Sequence, residues 1–157
     1  MATKPADRVV VDTNVLLAAT DRSRDEHSAA MAVLNDWPRA GTVLYASAQI
    51  MREYLVVATR PIAQNGLGLA APDAVANVRA LRARVELLQE DRRVNEHLFE
   101  LVEQAPCAGK QIHDANVVAT MLVHGVDTLV TLNLADFTRF GNRIRVIGLP
   151  DDIEPHR

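Results

Sequence analysis

Four acidic residues, Asp12, Glu53, Asp114 and Asp136, fall where a fold gathers side chains at a working edge. Asp12 closes the run RVVVD (8–12), in which three β-branched residues precede a carboxylate; this reads as a buried strand with an acid at its carboxyl end. Glu53 shares a helical stripe with Ile50, Tyr54 and Val57, and Asp114 shares one with Val117, Val118 and Met121. Asp136 lies in TLNLADF, beyond the strand 127–131, and Asn133 offers a neutral oxygen in the same turn. Each acid alone has a plainer reading: Asp12 as a helix N-cap, Glu53 paired with Arg52 or Arg60, Asp136 as a loop or cap aspartate. Together they point elsewhere, because an unpaired buried carboxylate costs several kcal/mol and a divalent cation removes that cost. Oxygen-only donors suit hard cations, so Mg2+ is expected, with Mn2+ as a substitute, rather than zinc. The expected chemistry is metal-assisted hydrolysis. Neither GxxxxGK[ST], GxGxxG nor GxSxG occurs, and Cys107 has no activating neighbour in sequence and reads as structural.

The elements that must position these acids follow from periodicity. The strands are expected at 8–12, 42–47, 85–88 and 127–131, with an edge strand at 145–148. Helices are expected at 14–19, 26–37 (closed by Pro38), 48–59, 73–84, about 94–105 and 114–124, the last ended by Gly125. Residues 61–72 form a loop. This alternation predicts an α/β fold, a central mostly parallel sheet of four to five strands between helical layers, with its ligand site beyond the strands' carboxyl ends. Trp37, Met31 and Met121 are core candidates. His113 adjoins Asp114 and is a candidate phosphate contact, while His27, His97, His124 and His156 read as surface residues.

The 157 residues suit one domain large enough to fold without disulfides or structural metal. A single cysteine rules out an internal disulfide, and no apolar run approaches a membrane span. MATKPADR has no apolar core, so no secretory leader is expected and the cytoplasm is the expected compartment. The net charge of −3, from 17 basic and 20 acidic residues, neither marks nor excludes a nucleic-acid partner.

VVVDTNVLL, REYL, HDANVVATML and LVTLNLADF, in that order, resemble the four motifs of PIN-domain ribonucleases, in particular the VapC toxins of toxin–antitoxin pairs. The resemblance runs from about residue 8 to 148 and implies a PIN-like three-layer α/β/α sandwich, a single PIN domain over 1–157. It implies Asp12, Glu53, Asp114 and Asp136 as the catalytic acids, with Asp12 and Asp114 the principal metal ligands. The last acidic slot is open between Asn133 and Asp136, and Asp136 is the favoured choice. Thr13, Asn14, Thr131 and Asn133 would orient carboxylates and water from a second layer. The implied reaction is endonucleolytic RNA hydrolysis leaving a 5′-phosphate and a 3′-hydroxyl. Arg52, Arg60, Lys110 and His113 are candidate RNA contacts, with Arg139, Arg143 and Arg145 as an extension. The implied partners are RNA, a VapB-like antitoxin in a groove near the site and a second copy in a homodimer.

Three rival readings are weaker on the residues. A phosphatase or receiver domain would need a lysine after a later strand, where LNLADF has none. A non-catalytic RNA- or protein-binding module would be expected to have lost acids, and four remain. A processing nuclease without a toxin role shares the same chemistry, and compact length favours the toxin.

Overall fold

The computed structural model describes residues 4–150, so His156 and both ends of the expected 1–157 domain lie outside the described residues. Five strands, β1 (Arg8–Val11), β2 (Val43–Ser47), β3 (Glu86–Leu88), β4 (Thr128–Val130) and β5 (Arg145–Ile147), form one sheet. Their order is β3-β2-β1-β4-β5 and every pairing is parallel. Six helices connect them: α1 (Thr13–Thr20), α2 (His27–Arg39), α3 (Ala48–Thr59), α4 (Ala71–Arg82), α5 (Arg92–Gln104) and α6 (Gln111–His124). Parallel neighbours require crossovers, and crossovers are right-handed. From β1 the chain steps outward to β2 and β3, then returns past β1 to β4 and β5, so the two sets of helices cover opposite faces. Accordingly α1 to α4 pack on one another, and α5 packs on α6. The result is the expected three-layer α/β/α sandwich.

Central strands carry the core. Val9, Val10 and Val11 of β1 and Leu129 and Val130 of β4 are fully buried, as strands sandwiched between two helical layers must be. The edge strands β3 and β5 are correspondingly more exposed. Trp37 and Met121 join the core, while Met31 packs half-buried at its margin. Among the described residues no helix is long and apolar enough to cross a membrane.

Several local expectations need correction. Helix α2 does not close at Pro38 but runs through it to Arg39. Proline cannot donate to the carbonyl four residues back. That carbonyl, Leu34 O, instead accepts from Arg84 Nη2 at 2.7 Å, so a distant side chain satisfies what the helix leaves open. Helix α4 begins at Ala71 rather than 73, with Pro72 in its first turn, where a missing N–H costs nothing. Helix α6 begins at Gln111 rather than 114. Ala108 N–H donates to Gln111 Oε1 and Gln111 N–H donates to Ala108 O, a reciprocal closure that starts the helix a turn early. Residues Leu134–Phe140, read as a plain turn, wind into a 3-10 helix anchored by buried Phe137 and Phe140 at its three-residue repeat. His27, His97 and His124 are half-buried rather than surface residues, and the rings of His27 and His124 contact backbone carbonyls, Ala18 O and Gln89 O. Gly125 adopts the left-handed conformation that ends α6, as its type predicts.

Candidate active site

In an open parallel sheet, strands whose connections leave in opposite directions diverge at their carboxyl ends and open a crevice there. Here that switch point lies between β1 and β4, and Asp12 and Thr131 immediately follow those strands. Asp12 is only 8% exposed. Its Oδ1 accepts from Thr13 N at 2.8 Å, so it does cap α1, as the plainer reading has it. Its Oδ2 accepts from the Thr131 hydroxyl at 2.8 Å and, more distantly, from Asn14 Nδ2 at 3.5 Å. Asn14 is held in turn, since its Nδ2 donates to Thr131 Oγ1 and its Oδ1 accepts from Leu132 N. Thr131 Oγ1 also accepts from Asn133 N. Thus Asn14 and Thr131 lock the carboxylate of Asp12 and the turn after β4 into one unit.

Glu53 reaches the same edge from α3, a helix started by the Ser47 side chain capping Ile50 N. Its Oε2 accepts from Thr13 Oγ1 at 3.2 Å and its Oε1 from Gln49 Nε2 at 3.0 Å. Asp114 lies in the first turn of α6, half-buried, in the helical layer opposite the one that carries Glu53. Asp136 is exposed on the first turn of the 3-10 helix, and Asn133 is exposed just ahead of it.

Asp12 and Asp114 sense the neighbouring negative charges. The carboxyl of Asp114 is pushed up to about 6, chiefly by burial and then by the negative charges of Asp12, Asp136 and Glu53, with Arg139 opposing. Burial likewise raises Asp12, the hydrogen bonds from Thr131 and Thr13 oppose the rise, and the charges of Glu53 and Asp136 add to it. The ion pairs among the described residues, Lys4–Asp7, Arg24–Asp21 and Arg93–Asp91, touch none of the four. The edge is therefore a basin of carboxylates with no basic partner bonded to it. Its donors are all oxygen, and a hard divalent cation fits that set and would relieve the repulsion. Among the described residues no three acid, histidine or cysteine side chains already close into a coordination shell. The basin is open rather than a finished cage.

The candidate phosphate contacts lie on several elements, and Arg60 caps the terminus of α3 away from the strand edge where that helix starts. Arg52 is exposed on α3, Arg60 is half-buried at its end, and Lys110 is exposed just before α6. His113 is exposed within α6 rather than in a loop. Arg139 is the basic residue whose charge reaches Asp114. Arg143 is bonded to Gln104 at the end of α5. Arg145 sits at the amino end of β5 and donates to Pro5 O at 2.7 Å, at the opposite end of the sheet, so it cannot extend the basic rim.

Sequence reasoning missed a second polar cluster beside the first, made by Gln49, Glu90 and Asn116. Glu90 Oε2 accepts from Gln49 N at 2.9 Å, and Asn116 Nδ2 donates at 2.6 Å to both Glu90 Oε1 and Gln49 Oε1. Glu90 follows β3 just past its carboxyl end, so the same strand-end rule that singled out Asp12 would have marked it.

Comparison with known proteins bears on this arrangement. Residues 9–142 match the family model of the PIN domain. Ribonuclease VapC24 of Mycobacterium tuberculosis is 31% identical over 137 residues, which span 83% of this chain and 90% of that protein. Among solved structures, VapBC2 from Rickettsia felis, bound to a DNA fragment of its promoter, aligns with a TM-score of 0.65 at 14% identity, covering 91% of this chain and 99% of the other. VapC20 of M. tuberculosis, a toxin that cleaves the sarcin–ricin loop, aligns with a TM-score of 0.62 at 16% identity, covering 87% and 95%. At those identities the structural likeness carries the fold alone.

Proposed function

The chain belongs to the PIN-domain family, among the VapC toxins, and from that membership we propose that it is a Mg2+-dependent endoribonuclease acting as the toxin of a toxin–antitoxin pair. The observation that supports this reading is the electrostatics beyond β1 and β4: Asp12 and Asp114 each feel the negative charges of Glu53 and Asp136, and no ion pair among the described residues takes up any of the four.

Asp12 and Asp114 would hold the cation, Mg2+ or Mn2+. When bound, such an ion lowers the pKa of an attacking water and offsets charge on the scissile phosphate. The chain's own residues supply the rest. Thr131, Asn14 and the Thr13 N–H fix the rotamer of Asp12, leaving its carboxylate aimed at the basin. Glu53, held from both sides by Thr13 and Gln49, orients the nucleophilic water and accepts its proton. Asp136 faces the basin from the exposed side, the favoured fourth acid over Asn133. Arg139, whose charge reaches Asp114, contacts RNA phosphates, with Arg52, Arg60, Lys110 and His113 as further candidate contacts. The bond broken is that between phosphorus and the 3′-oxygen, so the products carry a 5′-phosphate and a 3′-hydroxyl.

The partner reading rests on family membership and on solved structures described as a toxin–antitoxin complex from Klebsiella pneumoniae and a member of the VapBC family of toxin–antitoxin systems from M. tuberculosis. In this chain an open cleft of about 590 Å³ lies between the α1–α2 turn and the 3-10 turn Ile62–Gln64, lined by Leu17, Arg24, Val57 and Ile62 among others. It is a fitting place for a VapB-like antitoxin segment, and a homodimer is proposed on the same family basis. The experiment for the catalytic reading is cleavage of a total cellular RNA pool by antitoxin-free protein, with Mg2+, Mn2+ or EDTA. Discrete fragments only in the metal lanes support it. Intact RNA in all lanes, with the protein folded, shifts the reading to a non-catalytic RNA- or protein-binding PIN module.

A further inference from the structure

We infer that Gln49 is a positioning residue that sets the geometry of Glu53 against Asp114, an inference that rests on the proposed metal-dependent reading. Gln49 is 2% exposed, and every polar atom of its side chain is engaged. Its Nε2 donates to Glu53 Oε1 at 3.0 Å and to His113 O at 2.9 Å, and its Oε1 accepts from Asn116 Nδ2 at 2.6 Å. Glu53 lies one helical turn further along α3, whereas His113 directly precedes Asp114 in the first turn of α6. One buried amide therefore ties together two acids carried by helices of opposite layers.

The amide cannot turn over. Asn116 Nδ2 donates to Gln49 Oε1 and to Glu90 Oε1, and Glu90 Oε2 receives the Gln49 backbone N–H. This closed ring presents the NH2 edge of Gln49 to the Glu53 carboxylate; the flipped amide would set oxygen against oxygen. A bond from N–H to a carboxylate is among the stronger neutral-donor bonds, and it orients the acid as well as stabilising it. An apolar residue of similar length would fill the same volume but hold neither acid.

The test compares wild type with Gln49→Met and, as a second variant on the half-exposed side of the ring, Asn116→Leu. The first readout is Mg2+ alone, as the concentration giving half of the maximal thermal shift. The second is steady-state cleavage of an RNA that wild type cuts. Gln49→Met is expected to raise the Mg2+ midpoint about ten-fold and to lower kcat about ten-fold, with KM changed less than about two-fold. Asn116→Leu should move both in the same direction, and it decides the matter by the same readouts if Gln49→Met does not fold. A lower melting temperature with an unchanged Mg2+ midpoint and kcat means a purely structural Gln49 and overturns the inference alone. A wild type with no Mg2+-dependent shift overturns the metal-site reading and this inference with it.

Discussion

Replacing Asp114 with asparagine should stabilise the metal-free protein while abolishing its activity. Folding moves this carboxyl from the ordinary 3.8 to about 6, mainly through burial and then through repulsion from Asp12, Asp136 and Glu53. Because the folded state binds the proton more tightly than the unfolded state, ionised Asp114 weakens the fold above about pH 6, and that cost disappears below about pH 4. At about 1.4 kcal/mol for each tenfold change in proton affinity, the cost is about 3 kcal/mol undiscounted. The side chain is only partly buried, and solvent screening reduces the figure to about 1–2 kcal/mol. In a domain of this length that corresponds to a rise in melting temperature of roughly 2–8 °C for Asp114→Asn in EDTA at pH 7.5. The difference between variant and wild type should vanish at pH 4. Adding Mg2+ should reverse the order, because a ligand bound only by the folded wild type stabilises it by mass action. Thermal unfolding at the two pH values, with EDTA or Mg2+, measures all of this. An asparagine variant that is less stable in EDTA at pH 7.5, or that gains as much from Mg2+ as wild type, refutes the reasoning.

Other outcomes follow from the same geometry. Thr131→Val removes the hydroxyl that donates to Asp12 Oδ2 and accepts from Asn14 and Asn133; cleavage should fall about ten-fold or more, checked by initial rates on a defined RNA. Phe140→Ala should destabilise by about 3–5 kcal/mol, as for other fully buried phenylalanines, and would loosen the 3-10 helix that bears Asp136; urea denaturation gives the first figure. Arg84→Ala leaves Leu34 O without its side-chain donor, so the end of α2 should fray, with faster amide exchange at Arg39 and Ala40 than in wild type.

Much of the fold was legible because the sheet is buried on both faces. Runs such as Val9–Val11 and Leu129–Val130 have to be apolar throughout, and their bounding turns then fix where the carboxyl ends fall. That placed Asp12 and the turn with Asp136 at one edge, and helical periodicity aimed Glu53 and Asp114 toward it. What escaped detection depends on contacts between residues far apart in the chain. Pro38 ends a helix by local rules, but Arg84, nearly fifty residues on, satisfies the freed carbonyl and lets α2 continue. Gln49, Asn116 and Glu90 carry no shared periodicity, so their ring exists only once α3, α6 and the end of β3 are packed. Arg145 looked close to the site in sequence, yet parallel strands place the start of β5 a full strand length from the carboxyl edge.

Joint binding of a catalytic divalent cation by Asp12 and Asp114 is best tested by anomalous diffraction from crystals soaked in Mn2+. One strong peak is expected at the β1/β4 edge, within about 2.0–2.3 Å of oxygens from both carboxylates, and no such peak in Asp114→Asn crystals. A fully soaked wild-type crystal with no peak there, or with Mn2+ bound only at other residues, would contradict it.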